Sequence, residues 1–193
     1  MSDNIDPVVV FEGPNRAGKT VTSKRLAEAL DAVLLVSPPE ELAVYRREVA
    51  RYGPTAALEF YATGNRIVDT KIRTASRSQP VVVDRHYFST VAVMSVIMGM
   101  DLGGLLAEMK AVPDRVYLLT AEMDELERRA ALTGEVDLPQ NERSLEWTSL
   151  RNYRRILKPY SHREIDTTHV DEKGVFEMVL ADYRELLRER DKR

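Results

Sequence analysis

Four short runs of consecutive apolar residues punctuate the chain: Val8 to Phe11, Val33 to Val36, Val81 to Val83 and Val116 to Leu119. Runs of this length rich in β-branched residues, without polar alternation, predict strands buried on both faces. A fifth strand is expected near Glu164 to Val170. Helical patterning fills the intervals. One helix runs from the glycine-rich loop after the first strand to about Leu30, with Leu26, Ala27 and Leu30 on one face. Two more are expected over Glu40 to Arg51 and Thr55 to Arg77, separated at Gly53-Pro54. Helical pattern resumes from Ser89 to Met98, breaks at Gly103-Gly104 and continues to Lys110. Met123 to Leu132, Leu145 to Leu157 and Val175 to Arg190 complete the set. Five strands alternating with helices predict an α/β fold, a parallel sheet flanked by helices on both faces. No repeat or linker interrupts it, so residues 1–193 read as one domain.

Composition narrows the function. Lys+Arg 28 against Asp+Glu 31 leaves a net charge of −3. That argues against a nucleic-acid binder with a broad basic face but leaves room for a small anionic substrate. Cysteine is absent, which excludes disulfides, zinc-thiolate sites and a cysteine nucleophile. Acidic residues stand where a signal peptide carries Lys or Arg. The longest apolar-rich stretch, Val91 to Met100, is broken by Ser95 and Gly99 and is too short to cross a bilayer. The expectation is a cytoplasmic domain with no membrane partner.

The strongest chemical signal is Gly13-Pro14-Asn15-Arg16-Ala17-Gly18-Lys19-Thr20, which fits GxxxxGK[ST] between a buried strand and a helix. In such a loop successive main-chain N–H groups turn inward as an anion nest, and the helix N-terminus adds partial positive charge. Gly13, Asn15, Arg16, Ala17 and Gly18 would cradle the phosphates of ATP, Lys19 would reach the β- and γ-phosphates, and the Thr20 hydroxyl would coordinate Mg²⁺. Asp84 ends the third strand, where open parallel sheets place their ligands. An acid there either holds Mg²⁺, often through water, or caps the next helix. A charged Asp84-Arg85 pair leaving a buried strand favours the metal role.

Three segments, FEGPNRAGKT, FYATGNR and VVVDRHYFST, together resemble the thymidylate kinase family over nearly the whole chain. The resemblance implies a P-loop nucleoside-monophosphate-kinase fold that transfers the γ-phosphoryl group of ATP to dTMP. It implies a short lid at about 133–141 and a homodimer. Arg16 resembles the P-loop arginine of the eukaryote-type members, which contacts the γ-phosphate; their lid lacks a catalytic arginine, and residues 133–141 hold no Lys or Arg. Phosphoryl transfer needs positive charge on the equatorial oxygens, and Arg16 can supply it in cis. Arg85 resembles the arginine on the acceptor phosphate, accompanied by Ser89. Phe60 resembles the aromatic that stacks on thymine and Arg66 the acceptor-contacting arginine after it. Of Arg128 and Arg129, Arg129 is assigned to adenine.

Three departures fall on the acceptor side. Asn15 stands where the family usually has an acid. No arginine follows the second strand until Arg46. Five residues, 61–65, separate Phe60 from Arg66 where relatives have fewer. These departures keep open a deoxynucleoside kinase on the same scaffold, with Glu40 or Asp84 as the base that a neutral hydroxyl needs, and a P-loop nucleotide-binding switch. His86, His162 and His169 lack metal-ligand spacing, although His86 follows Asp84-Arg85 and is a candidate for pocket lining. Met94, Met98 and Met100 read as core filler, and Trp147 as a packed side chain.

Overall fold

The computed structural model describes residues 6–132 and 140–192. Five strands, β1 Val8–Glu12, β2 Val33–Val36, β3 Val81–Asp84, β4 Arg115–Thr120 and β5 His162–Asp166, form one parallel sheet in the order β2-β3-β1-β4-β5. Among the described residues, eight helices connect and flank them: α1 Lys19–Leu30, α2 Glu40–Ala43, α3 Arg46–Ala50, α4 Pro54–Ala75, α5 Tyr87–Met98, α6 Met123–Leu132, α7 Gln140–Leu157 and α8 Glu172–Arg190.

The period-2 geometry of the strands sorts the core into two layers. Val8, Val10, Val81, Val83, Val116 and Leu118 face α4, α5 and α7, packing on Val68, Ile72, Phe88, Val91 and Leu157. Val9, Phe11, Val82, Tyr117 and Leu119 face α1, α6 and α8, packing on Leu26, Leu126, Val179 and Leu186. The β1–β3 register sets Phe11 opposite Asp84. The two neighbouring strands then feed α1 and α5 on opposite faces, which opens a crevice at their carboxyl ends.

Local chemistry explains several element ends. Pro54 occupies the first turn of α4, where its fixed φ suits a helix start. Asp171 caps α8 by accepting from the Gly174 N–H at 2.7 Å. α5 is apolar on nearly every side because the sheet, α4 and α7 cover it.

The structure corrects the sequence reading at several points. The helix expected over 40–51 is two short ones, α2 and α3, and neither buries a residue. Without a buried apolar face, a longer helix lacks the packing that would stabilise it. Beyond α5 the chain forms a 3-10 segment, Gly103–Glu108, rather than α-helix. Two side chains hold it: Ser95 Oγ accepts from the Leu102 N–H at 3.1 Å and Asp101 from the Gly103 N–H at 2.9 Å. β5 lies at His162–Asp166 rather than Glu164 to Val170, and only Ile165 in it is buried. An edge strand with polar side chains gives no apolar run to read. Met94 is core, but Met100 and Trp147 are 52% and 59% exposed, so neither is packed as expected. The segment expected as a lid falls outside the described residues except for Gln140 and Asn141, which open α7.

Gly13 is the position at which the strand-to-loop turn admits no side chain. Its φ is 129°, and a Cβ there would lie 2.0 Å from the Leu119 carbonyl oxygen. Gly13→Ala is therefore expected to destabilise the fold by on the order of 3 kcal/mol, combining backbone strain with the clash. Chemical denaturation of the purified variant checks this, and an unchanged midpoint would contradict it.

Candidate active site

The loop between β1 and α1 takes its shape from two left-handed residues besides Gly13, namely Arg16 at φ 64° and Gly18 at φ 92°. Gly18 sits at the N-terminus of α1 with no side-chain cap, so the first N–H groups of that helix stay available to an anion. Lys19 is buried, and its Nζ donates to the Pro14 carbonyl across the loop. The ammonium is thereby tied to the P-loop main chain.

Thr20 Oγ1 donates to Asp84 Oδ2 at 2.5 Å. Asp84 is itself buried, and its second oxygen, Oδ1, has no hydrogen-bond partner. A buried carboxylate oxygen without a donor is costly. Beside the Thr20 hydroxyl it fits the oxygen-rich, partly hydrated ligand set that Mg²⁺ takes. The two residues assigned to the metal from sequence are thus in direct contact. Among the described residues, no cluster of three or more His, Asp or Glu side chains offers a different metal site.

Arg85 leaves β3 with φ 67°, which turns its side chain back across the crevice toward the loop. Its Nη1 donates to the Gly13 carbonyl at 3.1 Å and to Ser89 Oγ at 3.0 Å, and its Nη2 to Asn15 Oδ1 at 2.6 Å. Asn15, Arg85 and Ser89, assigned separately from sequence, form one cluster at the mouth of the P-loop. The asparagine in place of an acid still accepts a hydrogen bond from the guanidinium, without adding charge.

A cleft of about 810 Å³ lies between the P-loop, α6 and the segment after β5, with Arg16, Lys19, Arg128, Arg129, Thr167 and Thr168 on its walls. Arg129 ties these walls together. It donates to Glu125 at 2.7 Å, to the Arg16 carbonyl at 3.1 Å, and to Thr167 Oγ1 and carbonyl at 3.0 and 2.6 Å. Thr167 also bonds the Thr120 and Ala17 carbonyls. Arg128 is exposed and pairs with Glu125. Hydrogen bonds from Arg128 and then Arg129 hold the Glu125 carboxyl down at about 2. Arg129, expected on adenine, therefore also holds the P-loop main chain.

Two acceptor candidates lie apart from this cleft. Arg66 forms a two-pronged pair with Glu108 at 2.8 and 3.2 Å on the exposed side of α4. Phe60, one and a half turns earlier on α4, packs edge-on against Tyr61. His86, a possible lining residue, is buried instead, its ring edge-on to Tyr87. Both its ring nitrogens lack a hydrogen-bond partner, and burial pushes its pKa down to about 4. Sequence reasoning missed Glu12, Tyr153 and Thr167. Only Glu12 left a signal, as an acid continuing a buried apolar strand.

A thymidylate kinase family model matches residues 11–178, which contain all of these groups. The chain belongs to the thymidylate kinase family. A probable thymidylate kinase of Metallosphaera sedula is 28% identical over 168 residues, covering 83% of this chain and 84% of that protein. One from Methanocaldococcus jannaschii is 32% identical over 133 residues, 64% and 68% of the two chains. A shorter match, 36% over 74 residues, is to human mitochondrial UMP-CMP kinase 2, of which it covers only 16%. Two solved thymidylate kinases share the fold. That of Candida albicans has a TM-score of 0.73 at 15% identity, covering 93% and 92% of the chains. That of Ehrlichia chaffeensis has 0.71 at 18%, covering 92% and 98%. Members of this family are nucleoside-monophosphate kinases, and the family implies the use of ATP.

The two neighbouring arginines of α6 should separate experimentally. Arg129→Ala should lower stability by about 2 kcal/mol, because it strips partners from Thr167 and the Arg16 carbonyl, and should raise the KM for ATP. Arg128→Ala should cost under about 1 kcal/mol, as an exposed ion pair does. Thermal melts with ATP kinetics check both, and equal effects would contradict the assignment.

Proposed function

We propose that the chain is one Mg²⁺-dependent kinase domain that transfers the γ-phosphoryl group of ATP to dTMP, giving dTDP and ADP. The observation that carries this reading is the placement of Arg85, locked by Gly13, Asn15 and Ser89 at the mouth of the P-loop. A guanidinium fixed there can grip an anionic acceptor in line with the γ-phosphate that the P-loop presents.

The roles follow from the geometry. The α1 N-terminus and Lys19 bind the donor phosphates and neutralise the migrating group. Thr20 and Asp84 would hold Mg²⁺, which would supply further neutralisation of the transferred charge. Arg16 adds positive charge in cis, its main chain fixed through the Arg129 contact to its carbonyl. Arg85 anchors the acceptor phosphate, with Asn15 and Ser89 steadying the guanidinium. Arg66 and Phe60 extend the acceptor side along α4, with Arg66 exchanging Glu108 for the acceptor. A phosphate acceptor is already ionised at neutral pH, so no general base is needed.

A deoxynucleoside kinase, by contrast, needs a base for a neutral hydroxyl. Asp84 is committed to Thr20, and Glu40 stands exposed on α2. Both facts favour the monophosphate. No helix among the described residues is long and apolar enough to cross a membrane. The reading extends to a cytoplasmic homodimer, and light scattering on the purified protein checks the dimer.

Two variants test the assignment. Lys19→Ala should lower kcat at least about a hundredfold while the fold survives, as loss of a transition-state electrostatic group does. Arg85→Ala should cost roughly a hundredfold in kcat/KM for dTMP, the worth of a charge-assisted two-pronged contact of about 2–3 kcal/mol. A folded Arg85→Ala protein with unchanged kcat/KM for dTMP would remove the acceptor-phosphate reading.

A further inference from the structure

Glu12, the last residue of β1, is completely buried. Both its oxygens are engaged: Oε1 accepts from the His86 N–H at 2.8 Å, and Oε2 accepts from the Ser89 hydroxyl. Ser89 is also where Arg85 Nη1 arrives, at 3.0 Å, and where the Tyr153 hydroxyl of α7 arrives, at 2.9 Å. A serine hydroxyl has one proton and two lone pairs. With the proton given to Glu12, both lone pairs face outward, one for Arg85 and one for the Tyr153 proton. The ionised carboxylate thus sets the direction of the whole relay.

We infer that Glu12 is a positioning residue for the acceptor end of the site: its carboxylate orients the Ser89 hydroxyl, and Ser89, with Gly13 and Asn15, fixes the Arg85 guanidinium. The inference rests on the reading of Arg85 as the anchor of the acceptor phosphate. Glu12 touches neither substrate, so its effect travels through Ser89.

Protonating Glu12 breaks this order. The new carboxyl O–H turns toward Ser89 and takes a lone pair that had received Arg85. Burial pushes the Glu12 carboxyl up to about 7, against the opposing pull of Ser89, Arg85 and the His86 N–H. The groups facing it are Arg85 from the end of β3, Ser89 and the main chain of His86 at the start of α5, and Tyr153 from α7 through Ser89. On β4 the residue opposite Glu12 is the uncharged Leu118. The relay is therefore set above neutrality and released below it.

The test is steady-state kinetics with ATP and dTMP on wild type, Glu12→Gln, Ser89→Ala and the double variant. Glu12→Gln should raise the dTMP KM roughly tenfold and leave the ATP KM within about twofold, the loss of one charge-assisted link in the acceptor half alone. Because Glu12 acts through Ser89, the double variant should be no worse than the more impaired single variant. Equal rises in both KM values, or effects that multiply, would overturn the inference.

In wild type the dTMP KM should also climb as pH falls through about 7. That step adds to the second ionisation of the acceptor phosphate near about 6, which should be the only one left in Glu12→Gln. If Glu12→Gln does not fold, Ser89→Ala carries the same comparison, since it uncouples Glu12 from Arg85. A readout without acceptor separates this inference from the dTMP reading. The Arg85 Nε–H resonance should titrate near neutrality in wild type and stay fixed in Ser89→Ala, whether or not dTMP is phosphorylated. A resonance that titrates identically in both, or in neither, would refute the role of Glu12.

Discussion

The pairing of β1 with β3 in a register that sets Phe11 opposite Asp84 is the constraint on which the site depends. It brings the start of the P-loop and the Asp84-Arg85 dipeptide to the same level of the sheet. The Arg85 N–H seals the junction by donating to the Phe11 carbonyl at 3.0 Å. A one-residue slip would turn every side chain of the strand to the other face. It would bury Arg85 in one core layer and separate Asp84 from Thr20. The cost of such a slip falls on the polar strand ends, Asp84 and Glu12, which would lose their partners Thr20 and Ser89. The register therefore fixes the distance between the Thr20–Asp84 pair and Arg85.

Neutral acceptors help to hold the positive charge at the crevice. Arg85 is held by a carbonyl, an amide oxygen and a hydroxyl, and Lys19 by the Pro14 carbonyl. Dipoles of this kind orient a cation without neutralising it. The carboxylates do their work behind the site: Asp84 on Thr20, Glu12 on Ser89 and Glu125 on Arg129. Each orients a group that faces the nucleotide cleft or the acceptor anchor.

The sheet and the strand–loop–helix setting of the P-loop were legible in the sequence because their signals are local. Four strands announced themselves as apolar runs, and the P-loop as a spaced motif between a strand and a helix. β5 was misplaced because an edge strand with one buried residue carries no such run. The helix over 40–51 broke in two because periodicity without a buried apolar face does not sustain a helix. Asn15, Arg85 and Ser89 were each picked out, but their convergence depends on the β1–β3 register, which no local pattern encodes. Glu12, Tyr153 and Thr167 act across more than thirty residues of sequence, and a residue that works only through such partners has no spacing to read. Arg66, picked out by resemblance, pairs with Glu108, and that partner too was invisible before the fold was known.

The central claim is that the crevice holds two phosphates at once, one on the P-loop and one on Arg85. Its most direct measurement is the rate of ADP formation at saturating ATP with dTMP, with thymidine and with no acceptor. The account predicts rapid turnover with dTMP and only background ATP hydrolysis in the other two. Turnover with thymidine equal to or faster than with dTMP, or acceptor-independent hydrolysis at the same rate, would contradict it.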